Sequence, residues 1–198
     1  MRMPRDAMDQ DAEGADDALV ARFADGDAAA ARLLTQRLVP RAYAHAVRLL
    51  GNHAEAEDIA QEAMLRLWRT APRWRPGEAR VTTWLYRVVA NLCTDRLRRA
   101  GRDSFDLDAV PEPPGGAPGA EEALQSADRA AALQAALARL PLRQRQALVL
   151  RHIEGLANPR IAEIMETSTE AVESLTARGR RALAAELEGR RADLGYDA

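Results

Sequence analysis

The chain reads as an all-α protein: two small helical domains, each with its own core, joined by a flexible linker. Three observations predict this. Apolar residues make up 47 % of the 198 residues but aromatics only 4 %. Ala, Leu and Val therefore supply the buried surface; Ala and Leu lead the helix scale, whereas strands favour β-branched and aromatic residues. Apolar residues recur at helical spacing on either side of a break. That break, Pro111-Glu-Pro-Pro-Gly-Gly-Ala-Pro-Gly119, holds four prolines and three glycines, and no helix continues through it.

Five segments follow in order. Residues 1–16 are acidic, lack a periodic apolar pattern and are expected to be disordered. Residues 17–102 form the first helical domain. Leu19, Val20 and Phe23 begin its first helix, with Asp16 or Asp17 as N-cap. A second helix runs from about Ala28 to Leu50 and stops at Gly51-Asn52, with a kink or a break expected at Pro40. The third covers about Ala54 to Thr70, with Ile59, Ala63, Leu67 and Trp68 on its buried side. After the loop Arg73-Trp74-Arg75-Pro76-Gly77 comes a fourth helix, about Val81 to Arg99, in which Trp84, Leu85 and Val88 face inward. Residues 103–124 form the linker, which leaves the domains free to reorient. Residues 125–189 form the second domain and 190–198 a tail. In the second domain Leu133, Leu137 and Leu140 make one stripe before Pro141. Arg143 to Ile153 then form a helix with Ala147, Leu148 and Leu150 inward.

The net charge of −2 conceals an uneven distribution. From Gln61 to Arg102 ten arginines face three acids, whereas Asp103 to Asp128 carries seven acids and no base. Every one of the 28 basic residues is Arg; its planar fork suits phosphate and guanine edges, although GC-rich coding produces the same bias. The lone Cys93 rules out an internal disulfide and a cysteine-based zinc site within one chain. No apolar run reaches membrane-spanning length and the N-terminus is not signal-like, so a cytoplasmic protein is expected. His45, His53 and His152 are scattered, and no nucleophile, phosphate loop or metal cluster is visible. The expectation is a protein that is not an enzyme and needs no cofactor.

The sharpest local pattern lies between Ala157 and Ala184. Asn158 is a good N-cap, and Pro159 suits a first helical turn. Ile161 and Met165 are apolar, and the small Ala162 lets a second helix cross closely. Ser168 can cap that second helix, and Val172 and Leu175 give it an inner face. Such spacing is what a helix-turn-helix requires. Glu166 occupies the turn position where Gly is easiest, and a left-handed residue there costs about 1 kcal/mol. The second helix then presents Thr169, Glu170, Glu173, Ser174, Thr176, Arg178, Arg180 and Arg181. Its polar groups can reach base edges and its arginines phosphates.

Two further faces bear on function. Asp58, Gln61, Glu62 and Leu65 fall at i, i+3, i+4 and i+7 of the third helix, an apolar centre with an acidic, polar rim. Asn91 and Asp95 lie one turn apart on the fourth helix, beside arginines.

Three stretches, in order, resemble the extracytoplasmic-function sigma factors of the sigma-70 family. They are Ala54 to Arg69 (region 2.2), Thr83 to Arg99 (regions 2.3 and 2.4) and Leu137 to Leu183 (region 4). The resemblance implies two helical domains, no catalytic activity, and binding to core RNA polymerase and promoter DNA in a stress or environmental response. It places the β′ coiled coil against Asp58, Gln61, Glu62, Leu65, Arg66 and Trp68, and implies the β flap as a further polymerase contact. It assigns melted −10 DNA to Trp74, Arg80, Asn91, Asp95 and Arg98. Asn91 belongs to the pocket for a flipped base, and Trp74 either stacks on that base or packs in the core. It assigns the −35 duplex to Thr169, Glu170, Glu173, Ser174, Thr176, Arg178 and Arg180. Many relatives carry a basic residue at the positions of Glu173 and Leu175, so this chain departs there. The family also implies an anti-sigma factor. A stand-alone DNA-binding regulator and a protein-interaction module are the rival readings.

Overall fold

The computed structural model describes residues 5–75, 77, 80–103 and 120–188, and side chains from 14 to 100 and from 128 to 188 within those segments. The expected tail at 190–198 and the Pro/Gly run of the linker lie outside the described residues. Among the described residues every regular element is helical: α1 (Arg5–Ala24), α2 (Ala28–Leu50), α3 (His53–Thr70), α4 (Val81–Asp103), α5 (Ala120–Arg139), α6 (Leu142–Leu148), α7 (Asn158–Met165) and α8 (Thr169–Glu188). A short 3₁₀ turn, Ala71–Arg73, follows α3, and one π turn, Val149–Ile153, follows α6. By contacts the chain divides into two compact units, Met1–Val47 with His53–Cys93, and Arg48–Asn52 with Thr94–Ala198. Helix α4 reaches Asp103 and α5 starts at Ala120, so helix occupies both ends of the span expected as linker.

In the first unit α1 is described from Arg5, so residues 5–16 of the segment expected to be disordered are helical here. Neither Asp16 nor Asp17 is its N-cap; both lie inside the helix and serve tertiary roles. Asp16 is 1 % exposed and bridges to Arg37 (2.9 Å) and Arg41 (3.3 Å) of α2. A carboxylate so buried requires this compensation, because an unpaired charge away from water is costly. Asp17 reaches across to α4, where its Oδ1 accepts the Val81 N–H at 2.7 Å. That bond satisfies one of the donors every helix start leaves open.

Asp27 does for α2 what Asp16 was expected to do for α1. Its Oδ1 accepts the N–H groups of Ala29 (2.8 Å) and Ala30 (3.2 Å), while Arg22 grips Oδ2 at 2.6 Å. The Arg22 hydrogen bond first, and then the two backbone N–H groups, hold the Asp27 carboxyl below its ordinary range. Helix α2 passes through Pro40 without interruption and ends at Gly51, whose φ of 75° is the left-handed geometry of a helix stop. Leu34 and Leu38 of α2, Leu67 of α3, and Leu85 and Val89 of α4 are fully buried. His45 is also buried, edge-on to Tyr86 at 4.9 Å, and so belongs to the core.

The second unit is built around Leu137, Leu140, Leu148 and Val149, with Ala182 and Leu183 of α8 against them. Leu133, expected in that stripe, is 37 % exposed and takes no part. The expected helix Arg143 to Ile153 is α6 plus the π turn, a widening that puts Leu150 inside and Ile153 outside. Arg145 donates to the carbonyls of Ala138 and Leu140, two acceptors left open where α5 ends. At Gly179 α8 passes close to α6. A Cβ there would come within 2.9 Å of Leu148 Cδ1 and 3.2 Å of the Gln144 carbonyl oxygen.

Candidate protein and nucleic-acid interfaces

Helix α3 buries Ala56, Ile59, Ala60, Ala63, Met64 and Leu67 on one side. This stripe turns Asp58, Gln61 and Leu65 outward, as the i, i+3, i+7 spacing predicts. Leu65 is 48 % exposed, the most exposed large apolar side chain among the described residues. A single exposed leucine is ordinary, but one ringed by polar groups is the makeup of a docking centre with a rim. Glu62 is half-buried and paired with Arg66 at 2.8 Å, one turn on. An exposed pair of this kind contributes only about 0–1 kcal/mol to stability. Trp68 sits on the flank of this face, and its ring packs against Phe23 of α1 at 4.5 Å. The indole is engaged in joining α1 to α3.

On α4 the residues Trp84, Val88, Asn91, Asp95 and Arg98 share one helical face. Asn91, Asp95 and Arg98 are exposed; Trp84 and Val88 are half-buried. The expectation that Trp84 and Val88 are core is met only in part, since each keeps one side open. Asp95 and Arg98 stand 3.7 Å apart. The face therefore runs from an aromatic and apolar wall to amide, carboxylate and guanidinium groups. That sequence of chemistry suits an unstacked base, which needs a flat partner and hydrogen bonds at its edge. Trp74 stands edge-on to Trp84, with ring centroids 6.0 Å apart at 83°. Its indole Nε1 is buried and makes no hydrogen bond. Trp74 is half-buried and packs against Trp84. Arg80, just ahead of α4, is exposed.

The helix-turn-helix is α7, a turn, and α8. Ala157, extended at ψ 149°, is the N-cap of α7 and makes no side-chain bond, so Asn158 is not the cap expected. Pro159 sits in the first turn, as its fixed φ favours. The Asn158 amide nitrogen instead donates to Glu173 Oε1 on α8 at 3.3 Å. Glu166 adopts φ 50°, ψ 55°, the only left-handed non-glycine among the described residues. The Thr167 N–H then bonds the Ala162 carbonyl at 3.0 Å, closing a Schellman-type ending. Arg143 of α6 donates to the Met165 carbonyl at 3.2 Å and pins the same turn. Ser168 caps α8, its hydroxyl oxygen accepting the Ala171 N–H at 3.2 Å.

Val172 and Gly179 are buried, and these two residues fix which side of α8 looks out. Glu170, Glu173, Ser174, Arg178 and Arg180 are exposed, as expected, and Thr169 is half-buried. Thr176 is a correction. Its hydroxyl oxygen is buried and without a hydrogen-bond partner, because position 176 lies one turn from both Val172 and Gly179 on the inner face. Sequence reading also missed Gly179 and Arg143, and it gave Asp17 to the start of α1 rather than of α4. For Gly179 a signal existed, since a glycine inside a helical pattern commonly marks close packing. Arg143 and Asp17 gave none, as their partners lie on other elements.

Residues 34–103 match the family Sigma-70 region 2, and residues 130–183 match Sigma-70, region 4. The ECF RNA polymerase sigma factor SigE of Mycolicibacterium smegmatis is 36 % identical, over 76 % of this chain and 58 % of its own length. The ECF RNA polymerase sigma factor SigW of Bacillus subtilis is 33 % identical, over 71 % of this chain and 79 % of its own length. The chain thus spans little more than half of SigE but most of SigW. Among solved structures, that of CnrH in complex with the cytosolic domain of CnrY is similar at a TM-score of 0.64 and 27 % identity. It covers 88 % of this chain and 98 % of that one.

Proposed function

This chain belongs to the extracytoplasmic-function RNA polymerase sigma factors, and we propose that its helical units divide promoter recognition between them. In this reading the chain joins core RNA polymerase, directs it to −35 and −10 elements and promotes DNA opening. Helix α3 docks on the β′ coiled coil, with Leu65 at the centre and Asp58, Gln61, Glu62 and Arg66 around it. Covering the exposed half of Leu65 contributes roughly 1 kcal/mol, so affinity depends on the surrounding polar contacts as well. Helix α4 holds melted −10 DNA: Asn91 pairs with the edge of an extruded base, and Arg80 and Arg98 hold phosphates. Extruding a base costs a few kcal/mol, and contacts on this face offset that cost. Helix α8 reads the −35 duplex through Thr169, Glu170, Glu173, Ser174, Arg178 and Arg180.

An anti-sigma factor that covers these faces belongs to the same reading. CnrH, similar in fold, is seen with the cytosolic domain of CnrY bound.

The observation that carries the proposal is the exposed Leu65 amid polar groups, on the helix that leads into α4. The test is open-complex formation and run-off transcription with core polymerase, on the gene's own upstream region and on a random promoter library. The wild-type chain is expected to start transcription. Leu65→Arg should lose core binding with an unchanged melting curve, and Asn91→Ala should keep core binding but form fewer open complexes. Tight promoter binding by the chain without polymerase, with no transcription in its presence, would instead establish a stand-alone regulator.

A further inference from the structure

The outward side of α8 carries two carboxylates, Glu170 and Glu173, ahead of Arg178, Arg180 and Arg181, all five exposed. A surface that approaches phosphates gains from bases, so a carboxylate in the second turn needs a reason. Glu173 is set apart by how it is held. The Asn158 amide nitrogen donates to its Oε1 at 3.3 Å from the start of α7. That bond restricts the rotamer without neutralising the charge, because the donor is neutral. The nearest downstream arginine, Arg178, is turned to the Ser174 carbonyl at 3.3 Å. Val172, fully buried one residue earlier, locks the helix so that Glu173 stays on the rim of the outward face. The N-terminal turns of the second helix are the part of a helix-turn-helix that enters the major groove.

We propose that Glu173, positioned by Asn158, is a specificity determinant of the −35 reader, selecting a base that offers an exocyclic amino group, cytosine above all. In the major groove cytosine presents only its N4 amino donor, whereas guanine presents N7 and O6 and thymine O4, all acceptors that repel a carboxylate. Adenine presents an amino group beside the N7 acceptor and ranks between. With Oε1 engaged by Asn158, Oε2 is left for the amino hydrogen, and the ordering cost of the side chain is met before DNA arrives. This inference rests on the sigma-factor reading above and adds to it the base preference of one residue.

The experiment uses the full chain with core polymerase and promoters randomised across the −35 region. Open complexes that survive heparin challenge are sequenced. The wild type should enrich cytosine over guanine at one position by on the order of tenfold. Glu173→Gln should move that position toward adenine, since an amide pairs with N6 and N7 together. Glu173→Ala should flatten that position alone, and Asn158→Ala should weaken the enrichment without changing the preferred base. If both Glu173 variants keep the wild-type profile, or retain all sequences equally better, the carboxylate reads no base and the proposal is overturned. If the wild type retains no promoter at all, the sigma-factor reading fails and this inference falls with it.

Discussion

Replacing Gly179 by alanine sets two well-measured effects against each other in one residue. Gly179 has an ordinary helical backbone, as positive φ among the described glycines is confined to Gly26, Gly51, Gly77 and Gly155. An alanine in an unobstructed helix interior would therefore stabilise by about 0.8–1.0 kcal/mol. The added Cβ, however, would lie 2.9 Å from Leu148 Cδ1, 3.1 Å from Leu148 Cγ and 3.2 Å from the Gln144 carbonyl oxygen. Leu148 is only 4 % exposed, and the carbonyl belongs to the backbone of α6, so neither retreats freely. Overpacking of this kind costs about 1–3 kcal/mol. The net expectation is a loss of roughly 0–2 kcal/mol. Urea unfolding of the full chain, followed by amide exchange in α8, measures it. A second background isolates the contact with Leu148. Leu148→Ala alone should cost about 2–5 kcal/mol, but it removes the two nearer contacts and leaves only the Gln144 carbonyl oxygen, so Gly179→Ala added to it should cost less than in the native background. If Gly179→Ala raises stability by the full helix-propensity gain in the native background, the close-crossing argument is refuted.

Two further outcomes follow from local geometry. Glu166→Gly should stabilise the second unit by up to about 1 kcal/mol, because the left-handed turn ceases to strain a Cβ; the greater freedom of unfolded glycine offsets part of the gain. Equal urea midpoints for the two proteins would show that the turn stores no strain. The second outcome concerns acid. Arg22 and the N–H groups of Ala30 and Ala29 lower the Asp27 carboxyl below its ordinary 3.8 in the folded chain. Its contribution is present in full above that value and is lost as pH falls through the lower folded value. The stability gap between wild type and Asp27→Asn, measured by urea midpoints from pH 6 downward, should hold to about pH 4 and then narrow. A gap that widens in acid would contradict the assignment.

Helix positions were legible in the chain because they depend on neighbours within one or two turns. The spans of α2, α3 and α4 follow from periodicity and from Gly51, and Ser168 and Glu166 perform the local tasks that their positions require. The outward placement of Asp58, Gln61 and Leu65 was legible for the same reason, since a helix fixes the direction of each side chain from its spacing. Aromatic packing was legible only in part: neither the contact of Trp68 with Phe23 nor that of Trp74 with Trp84 shows in the spacing. Their partners, Phe23 and Trp84, come from other elements.

By itself, then, the sequence determined an all-helical chain of two units, where most helices stop, and which residues form the outward faces of α3 and α8. It could not determine interactions whose partners are distant in the chain. Asp16 and Asp17 look like equivalent N-cap candidates, yet one is buried between two arginines of α2 and the other caps α4 from 64 residues away. Thr176 looks like a hydroxyl available for DNA, yet it turns inward beside the crossing that Gly179 permits. Asn158 looks like a cap, yet it holds Glu173. In each case local chemistry allows several partners of similar energy. Packing of one helix on another decides among them: it brings the buried Asp16 its two arginines, sets Asn158 beside Glu173, and leaves the Thr176 hydroxyl buried with no partner.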